Sequence, residues 1–77
     1  MYPNLNAEMA RNQITYSDII KVLNISPSTL SEKMNGKKDF KLGECKKIIK
    51  YIFPNYTIDY LFTIKSDLLI NNKKNNN

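Results

Sequence analysis

The sequence predicts an all-α domain, folded as a compact five-helix bundle. Apolar residues recur at three- and four-residue spacing, which is typical of helices with one buried face. Nowhere do polar and apolar residues alternate for long enough to indicate a half-buried strand. Start and stop signals divide the chain into short helical segments with short connections, and 77 residues are enough for one domain.

The first predicted helix spans about Asn4–Asn12, and the second opens at "TYSD". Thr15 is the expected N-cap, and Asp18, three residues later, completes a capping box. The second helix should then run to about Leu23. The residues that these two helices should bury are Leu5, Met9, Ile19, Ile20 and Leu23.

The third predicted helix, Pro27–Asn35, has its start and stop signals in the sequence. Ser26 is the expected N-cap, Pro27 fits the first helical position, and Gly36 permits the left-handed conformation that ends a helix. The spacing directs Leu30 and Met34 inward. One polar stripe follows the other side of the helix and consists of Ser28, Ser31, Glu32 and Asn35.

The fourth helix is expected over about Lys41–Phe53, ending before Pro54, and the fifth over Thr57–Phe62. The inward side of the fourth helix should comprise Leu42, Cys45, Ile48, Ile49, Ile52 and Phe53. Residues 1–62 therefore form the predicted domain. Residues 63–70 are apolar enough to be a packing or dimerisation segment, and the polar residues 71–77 are expected to be a disordered tail.

Positive charge is concentrated in one part of the chain. The net charge is +5, and the window Lys33–Lys50 contains seven lysines against only Asp39 and Glu44. Such a cluster is expected at a contact with a polyanion, although a merely solvated surface is the alternative interpretation.

The composition argues against an enzyme and against a metal site. The chain has no histidine, and its single cysteine, Cys45, is expected in the core. No ligand set for a metal or cofactor is recognisable, and no small-molecule ligand is expected. The sequence has no signal peptide and no apolar run of the roughly 18–20 residues that span a bilayer, so we expect a cytoplasmic protein without membrane contact.

The second and third helices form the pair that indicates function. The connection "NIS" is too short for full antiparallel packing, so the two helices should cross steeply. In a helix-turn-helix of this kind the first helix lies across a duplex backbone and the second enters the major groove. A groove about 12 Å wide accepts one helix, and a short helix suffices there.

The stretch "TYSDIIKVLNISPSTLSEKMNGKKDF" resembles the helix-turn-helix of the Cro and phage-repressor family, at about residues 16–35. The apolar spacing, the Ser26 cap, the closing glycine and a further amphipathic helix together carry the resemblance, over about residues 4–62. It implies the lambda-repressor-like fold. The chain departs from the family at Tyr16, where glutamine is usual, at Ile20, where alanine is usual, and at Asn24, where the turn glycine is usual. Asn24 tolerates the left-handed conformation, so the turn should be retained.

The resemblance implies which residues contact DNA. The positions that face the bases are Pro27, Ser28, Ser31, Glu32 and Asn35. Asn35 suits adenine and Glu32 suits the amino group of cytosine, so we predict a preference for A·T-rich half-sites with one cytosine. The expected phosphate contacts are Tyr16, Ser17, Ser26, Lys33, Lys37, Lys38 and Lys41.

These expectations together predict a small bacterial or phage transcriptional repressor that binds double-stranded DNA. One short helix makes few base contacts, so we expect a homodimer on two-fold related half-sites, with residues 57–70 as its possible contact. The alternative is a protein-binding module of the same fold, such as a phage-encoded inhibitor or antirepressor. DNA reading requires the Ser28–Asn35 stripe, whereas the alternative does not.

Overall fold

The computed structural model describes residues 1–64, and this part of the chain contains five helices and no strand. The helices are α1 (Pro3–Arg11), α2 (Tyr16–Leu23), α3 (Pro27–Met34), α4 (Leu42–Tyr51) and α5 (Ile58–Leu61). The all-α prediction is confirmed, and each predicted helix is present with its ends within two residues of the predicted ones. The segments predicted at 63–70 and 71–77 lie outside the described residues, apart from Thr63 and Ile64. None of the helices within residues 1–64 has the length and apolar character needed to cross a membrane.

All five helices contribute to one apolar core. Its buried members are Tyr2, Leu5, Met9, Ile19, Leu23, Leu30, Met34, Ile48, Phe53 and Leu61. Most of the expected inward residues are therefore buried, as is Cys45, while Ile20, Ile49 and Ile52 are half-buried at its edge. Leu42 is the exception, because 62% of it is exposed. It is the first residue of α4, and packing begins one turn later at Cys45.

Three aromatic rings join the N-terminus, the α3–α4 loop and the end of α5. The rings of Tyr2, Phe40 and Phe62 meet edge to face, with centroids 5.1–5.9 Å apart. This is the favoured arrangement of aromatic pairs. The cluster holds the loop that follows α3 against the body of the domain.

A buried carboxylate links α1 to α5. Glu8 is only 1% exposed, and its two carboxylate oxygens accept hydrogen bonds from the hydroxyls of Tyr56, at 2.8 Å, and Tyr60, at 2.7 Å. The guanidinium of Arg11 adds a contact at 3.3 Å. The tyrosine hydrogen bonds, chiefly that from Tyr60, lower the pKa of Glu8 despite its burial, so the carboxylate remains charged at neutral pH. The sequence analysis did not foresee this network.

Candidate nucleic-acid interface

The turn between α2 and α3 adopts the conformation that the sequence predicts. Asn24 has φ 56° and ψ 50°, in the left-handed region, and its N–H donates to the carbonyl of Ile20 at 2.7 Å. Asparagine is among the few residues other than glycine that accept this backbone at small cost. The chain thus turns directly from α2 into α3 without a glycine.

The start of α2 is capped by an acid. The carboxylate of Asp18 accepts hydrogen bonds from the backbone N–H of Thr15, at 2.8 Å, and from the Thr15 hydroxyl, at 3.1 Å. These bonds, the backbone one first, lower the pKa of Asp18. Tyr16 and Ser17 follow in the first turn of α2, and both residues are exposed. This placement suits their predicted role as phosphate contacts.

The start of α3 is held by Ser26, as predicted. The Ser26 hydroxyl oxygen accepts from the backbone N–H of Thr29 at 3.2 Å, while the hydroxyl donates to Thr29 Oγ1 at 2.8 Å. Pro27 occupies the first helical position and is exposed. Ser26 is exposed too, but its hydroxyl is already engaged within the first turn. A contact from this side chain to phosphate would replace that internal bond.

The end of α3 is closed by a Schellman motif centred on Gly36. The N–H of Lys37 donates to the carbonyl of Glu32 at 2.9 Å, and the N–H of Gly36 donates to that of Lys33 at 3.2 Å. Gly36 has φ +82°, and the Met1 side chain occupies the space that a Cβ would need. The predicted stop signal is therefore confirmed. It directs Lys37 and Lys38 out from the helix end.

The two sides of α3 separate as the spacing predicted. Leu30 and Met34 are buried, whereas Ser28 and Asn35 are exposed. Ser31 and Glu32 are half-buried, and the Asn35 amide donates to Ser31 Oγ at 3.4 Å. The four polar residues of the stripe therefore remain on the accessible side of the helix. Short donors and acceptors in this arrangement can meet the edges of base pairs.

The carboxylate of Glu32 is close to a lysine side chain. Its carboxylate lies 3.5 Å from the ammonium of Lys38, and both side chains are partly exposed. Exposed pairs of this kind contribute only about 0–1 kcal/mol. The pair is weak enough to open when a stronger partner approaches either member.

The position of Lys33 differs from the prediction. It was expected to contact phosphate, but it is 5% exposed. Its ammonium lies 2.9 Å from the carboxylate of Glu44, donates to the carbonyl of Asp39 at 3.0 Å, and lies over the ring of Phe40. Lys33 follows Leu30 by three residues, which places it on the inward side of α3. Its charge is used inside the molecule, so the assignment as a phosphate contact is wrong.

Glu44 caps the start of α4 and also pairs with Lys33, a contact that the sequence analysis did not predict. One of its carboxylate oxygens accepts both the Lys33 ammonium and the backbone N–H of Lys41, the latter at 2.8 Å. Burial raises the pKa of Glu44, but the hydrogen bonds from Lys41 and Lys33 and their positive charges outweigh it and leave the pKa lowered. Glu44 thus ties the inward side of α3 to the start of α4. The pair fixes α3 and the lysine-rich loop relative to each other.

The remaining lysines of the basic window are all exposed. They are Lys37, Lys38, Lys41, Lys46, Lys47 and Lys50. Between residues 37 and 50 the only exposed acid is Asp39, because Glu44 is turned towards Lys33. Lys37, Lys38 and Lys41 bracket the loop that follows α3. The positive charge therefore begins at the end of the helix that carries the polar stripe.

Metal ligands and the single cysteine were the other groups that the sequence raised. Residues 1–64 contain no group of histidine, cysteine, aspartate or glutamate residues that could hold a metal ion. Cys45 is buried, and burial raises the pKa of its thiol, which disfavours the reactive thiolate. Comparisons with protein-family models, with curated proteins and with solved structures found no match to this chain.

Proposed function

We propose that this chain binds double-stranded DNA sequence-specifically, with α3 in the major groove and α2 across the backbone, as a small transcriptional repressor of the Cro type. One observation carries the proposal. α3 keeps Ser28, Ser31, Glu32 and Asn35 on its accessible side, while Leu30, Lys33 and Met34 anchor the other side. Exposed lysines follow at once. A capped helix of this kind suits a groove that admits a single helix.

Base recognition is assigned to the polar stripe and to Pro27. The Asn35 amide matches the donor and acceptor of adenine, and Ser28 can bond either to a base edge or to bridging water. Glu32 can accept from the amino group of cytosine with the carboxylate oxygen that Lys38 does not approach.

Phosphate contact is assigned to Lys37, Lys38 and Lys41, with the hydroxyls of Tyr16 and Ser17 at the start of α2. Lys33 is excluded from this group because its ammonium is buried on Glu44. It acts instead as a positioning residue, since it holds the loop from which Lys37 and Lys38 project. Each lysine that neutralises a phosphate releases counterions.

We propose further that two copies bind two-fold related half-sites, because one helix of eight residues makes few base contacts. The segment 57–70 remains the candidate contact between copies, and only residues 57–64 of it are described. Repression would follow from occupancy of a promoter.

The proposal is tested by fluorescence anisotropy of a labelled duplex titrated with the chain at several salt concentrations. Three phosphate-binding lysines predict a slope of log affinity against log salt of about −3 for each protomer. The variant K37Q should reduce this slope by about one. A flat response to salt, or no binding to duplexes of any sequence, would contradict the proposal.

A further inference from the structure

Three lysines of α4 form a positive surface of their own. Cys45 and Ile48 face the core, whereas Lys46, Lys47 and Lys50 are exposed on the other side of the helix. Since each residue turns the helix by about 100°, the three lysines fall within about 100° of its circumference, opposite the core-facing side. We call these three residues the α4 lysine stripe. The proposed contact with duplex DNA uses none of them.

The charge of the α4 lysine stripe is not balanced by acids. Within residues 1–64, none of its three ammonium groups forms an ion pair. Glu44, the acid of the same helix, is turned towards Lys33. Lys46 and Lys50 are one turn apart, about 6 Å along the axis, and like charges at this spacing repel each other. A polyanion that brings a phosphate to each lysine would relieve this repulsion.

Tyr51 adds an exposed aromatic ring to one edge of the stripe. It follows Lys47 by four residues, so the two side chains lie on neighbouring turns of the same side. Tyr51 is 63% exposed, and no other aromatic ring of residues 1–64 packs against it. The Lys50 ammonium lies 5.3 Å from the centre of the ring. A planar group that stacks on Tyr51 would therefore have an ammonium group beside it.

The combination of lysines with an exposed ring separates the candidate ligands. A duplex offers phosphates to the lysines, but its bases are stacked on one another and none is free for Tyr51. An acidic protein segment offers carboxylates to the lysines alone. A single strand offers both phosphates and unpaired bases, and every base has a face that can stack on an aromatic side chain. The single strand is therefore the ligand that uses all four side chains.

We propose that the α4 lysine stripe and Tyr51 bind a single-stranded nucleic acid without sequence preference. The lysines contact phosphates along the strand, and one base stacks on the ring of Tyr51. Charge and stacking are common to all sequences, so no base is selected. This binding goes beyond the reading of duplex DNA proposed for α3, and it does not depend on it.

Fluorescence anisotropy tests the proposal with three labelled probes titrated with the full chain. The probes are an oligothymidine of about eight nucleotides, a polyphosphate, which has no bases, and a hairpin duplex. Y51A should weaken the binding of oligothymidine roughly tenfold, because the stacked base loses its partner. The same variant should leave the other two probes within about twofold, since neither stacks on the ring. Y51F retains a ring and should bind oligothymidine like the wild type.

Leu42 provides a matched control for Tyr51. It is 62% exposed on the same helix, but it lies nine residues away, at the opposite edge of the stripe, and it has no ring. L42A should therefore leave the binding of oligothymidine within about twofold. K46Q/K47Q/K50Q should reduce the slope of log affinity against log salt by about 2, at roughly 0.7 for each phosphate of a single strand. Thermal unfolding of each variant checks that the fold is retained.

Three results would overturn the proposal. The first is an equal loss of oligothymidine binding in L42A and Y51A. The second is a loss in Y51A that is as large for polyphosphate or for the hairpin as for oligothymidine, because the ring would then not be a stacking site. The third is a set of amide chemical shifts in which oligothymidine perturbs α3 more than Lys47, Lys50 and Tyr51. Each of these results leaves the proposal for α3 standing, since that proposal depends on the selection of duplexes.

Discussion

The ammonium of Lys33 lies 2.9 Å from the carboxylate of Glu44, and this buried pair joins α3 to the start of α4. The same ammonium donates to the carbonyl of Asp39 in the loop between the two helices. Three parts of the chain are thus held by one charged atom. The lysines that follow Gly36 project from a loop whose position depends on it.

Loss of the Lys33–Glu44 pair should destabilise the fold. Replacing Lys33 by methionine leaves Glu44 largely buried without its cation, and we expect the free energy of unfolding to fall by about 2 kcal/mol. The loss stays below the largest known values because Glu44 keeps some exposure and its hydrogen bond from Lys41. Urea unfolding measures the change. K37M is the matched control, because Lys37 is exposed and should alter stability by no more than about 0.5 kcal/mol. Equal losses in the two variants would contradict the structural role of Lys33.

Acid should destabilise the fold, because it protonates carboxylates that accept hydrogen bonds in the folded state. The folded pKa values of Glu8 and Glu44 lie below their ordinary value of 4.5. Their contribution is therefore fully present above that pH, and it is lost as the pH falls through the folded values. Urea midpoints measured from neutral pH down through this range should fall steeply for the wild type. E8Q should start lower at neutral pH and fall less steeply, since the amide does not titrate. Parallel curves for the two proteins would remove Glu8 from the account.

Replacing each of the two glycines by alanine should change the stability of the chain in opposite directions. G36A should destabilise the chain by about 1–2 kcal/mol, because alanine at φ +82° is strained and its Cβ would displace Met1. G43A should stabilise it by about 0.5–1 kcal/mol, because Gly43 lies in a helix with open space around it. Thermal unfolding of both variants provides the comparison. A change of the same sign in both would show that backbone conformation does not separate these positions.

Substitutions of two serines at the start of α3 should distinguish helix capping from contact with DNA bases. S26A removes the acceptor of the Thr29 N–H and should cost about 1 kcal/mol of stability. S28A removes an exposed hydroxyl and should leave stability within about 0.5 kcal/mol. In DNA binding, S28A should alter which duplexes are preferred, whereas S26A should weaken binding to all of them alike. The reverse pattern would assign the reading role to Ser26.

Local signals in the sequence were sufficient to predict the turn between α2 and α3 and the two ends of α3. Asn24, Ser26 and Gly36 act through backbone atoms within a few residues, so their roles follow from neighbouring letters of the sequence. Lys33 was misassigned because its type suggested a surface charge, although its spacing from Leu30 placed it on the inward side. That spacing was the available signal.

Contacts between residues that are far apart in the sequence could not be predicted from local patterns. Glu8 meets Tyr56 and Tyr60 across 48 and 52 residues, and no local spacing relates them. Leu42 fitted the apolar stripe of α4, but its exposure depends on where the neighbouring helices begin to cover that helix. The burial of a charge or the exposure of an apolar residue is decided by the packing of distant elements.

The central claim is that the outward stripe of α3 reads DNA sequence, and selection of bound duplexes from a random pool tests it most directly. The wild-type chain should enrich an A·T-rich motif, E32A should lose its preference for cytosine at one position, and S28A should relax a neighbouring position. Each variant should retain wild-type stability. Enrichment of the same motif by all three proteins, or of none by the wild type, would contradict the claim.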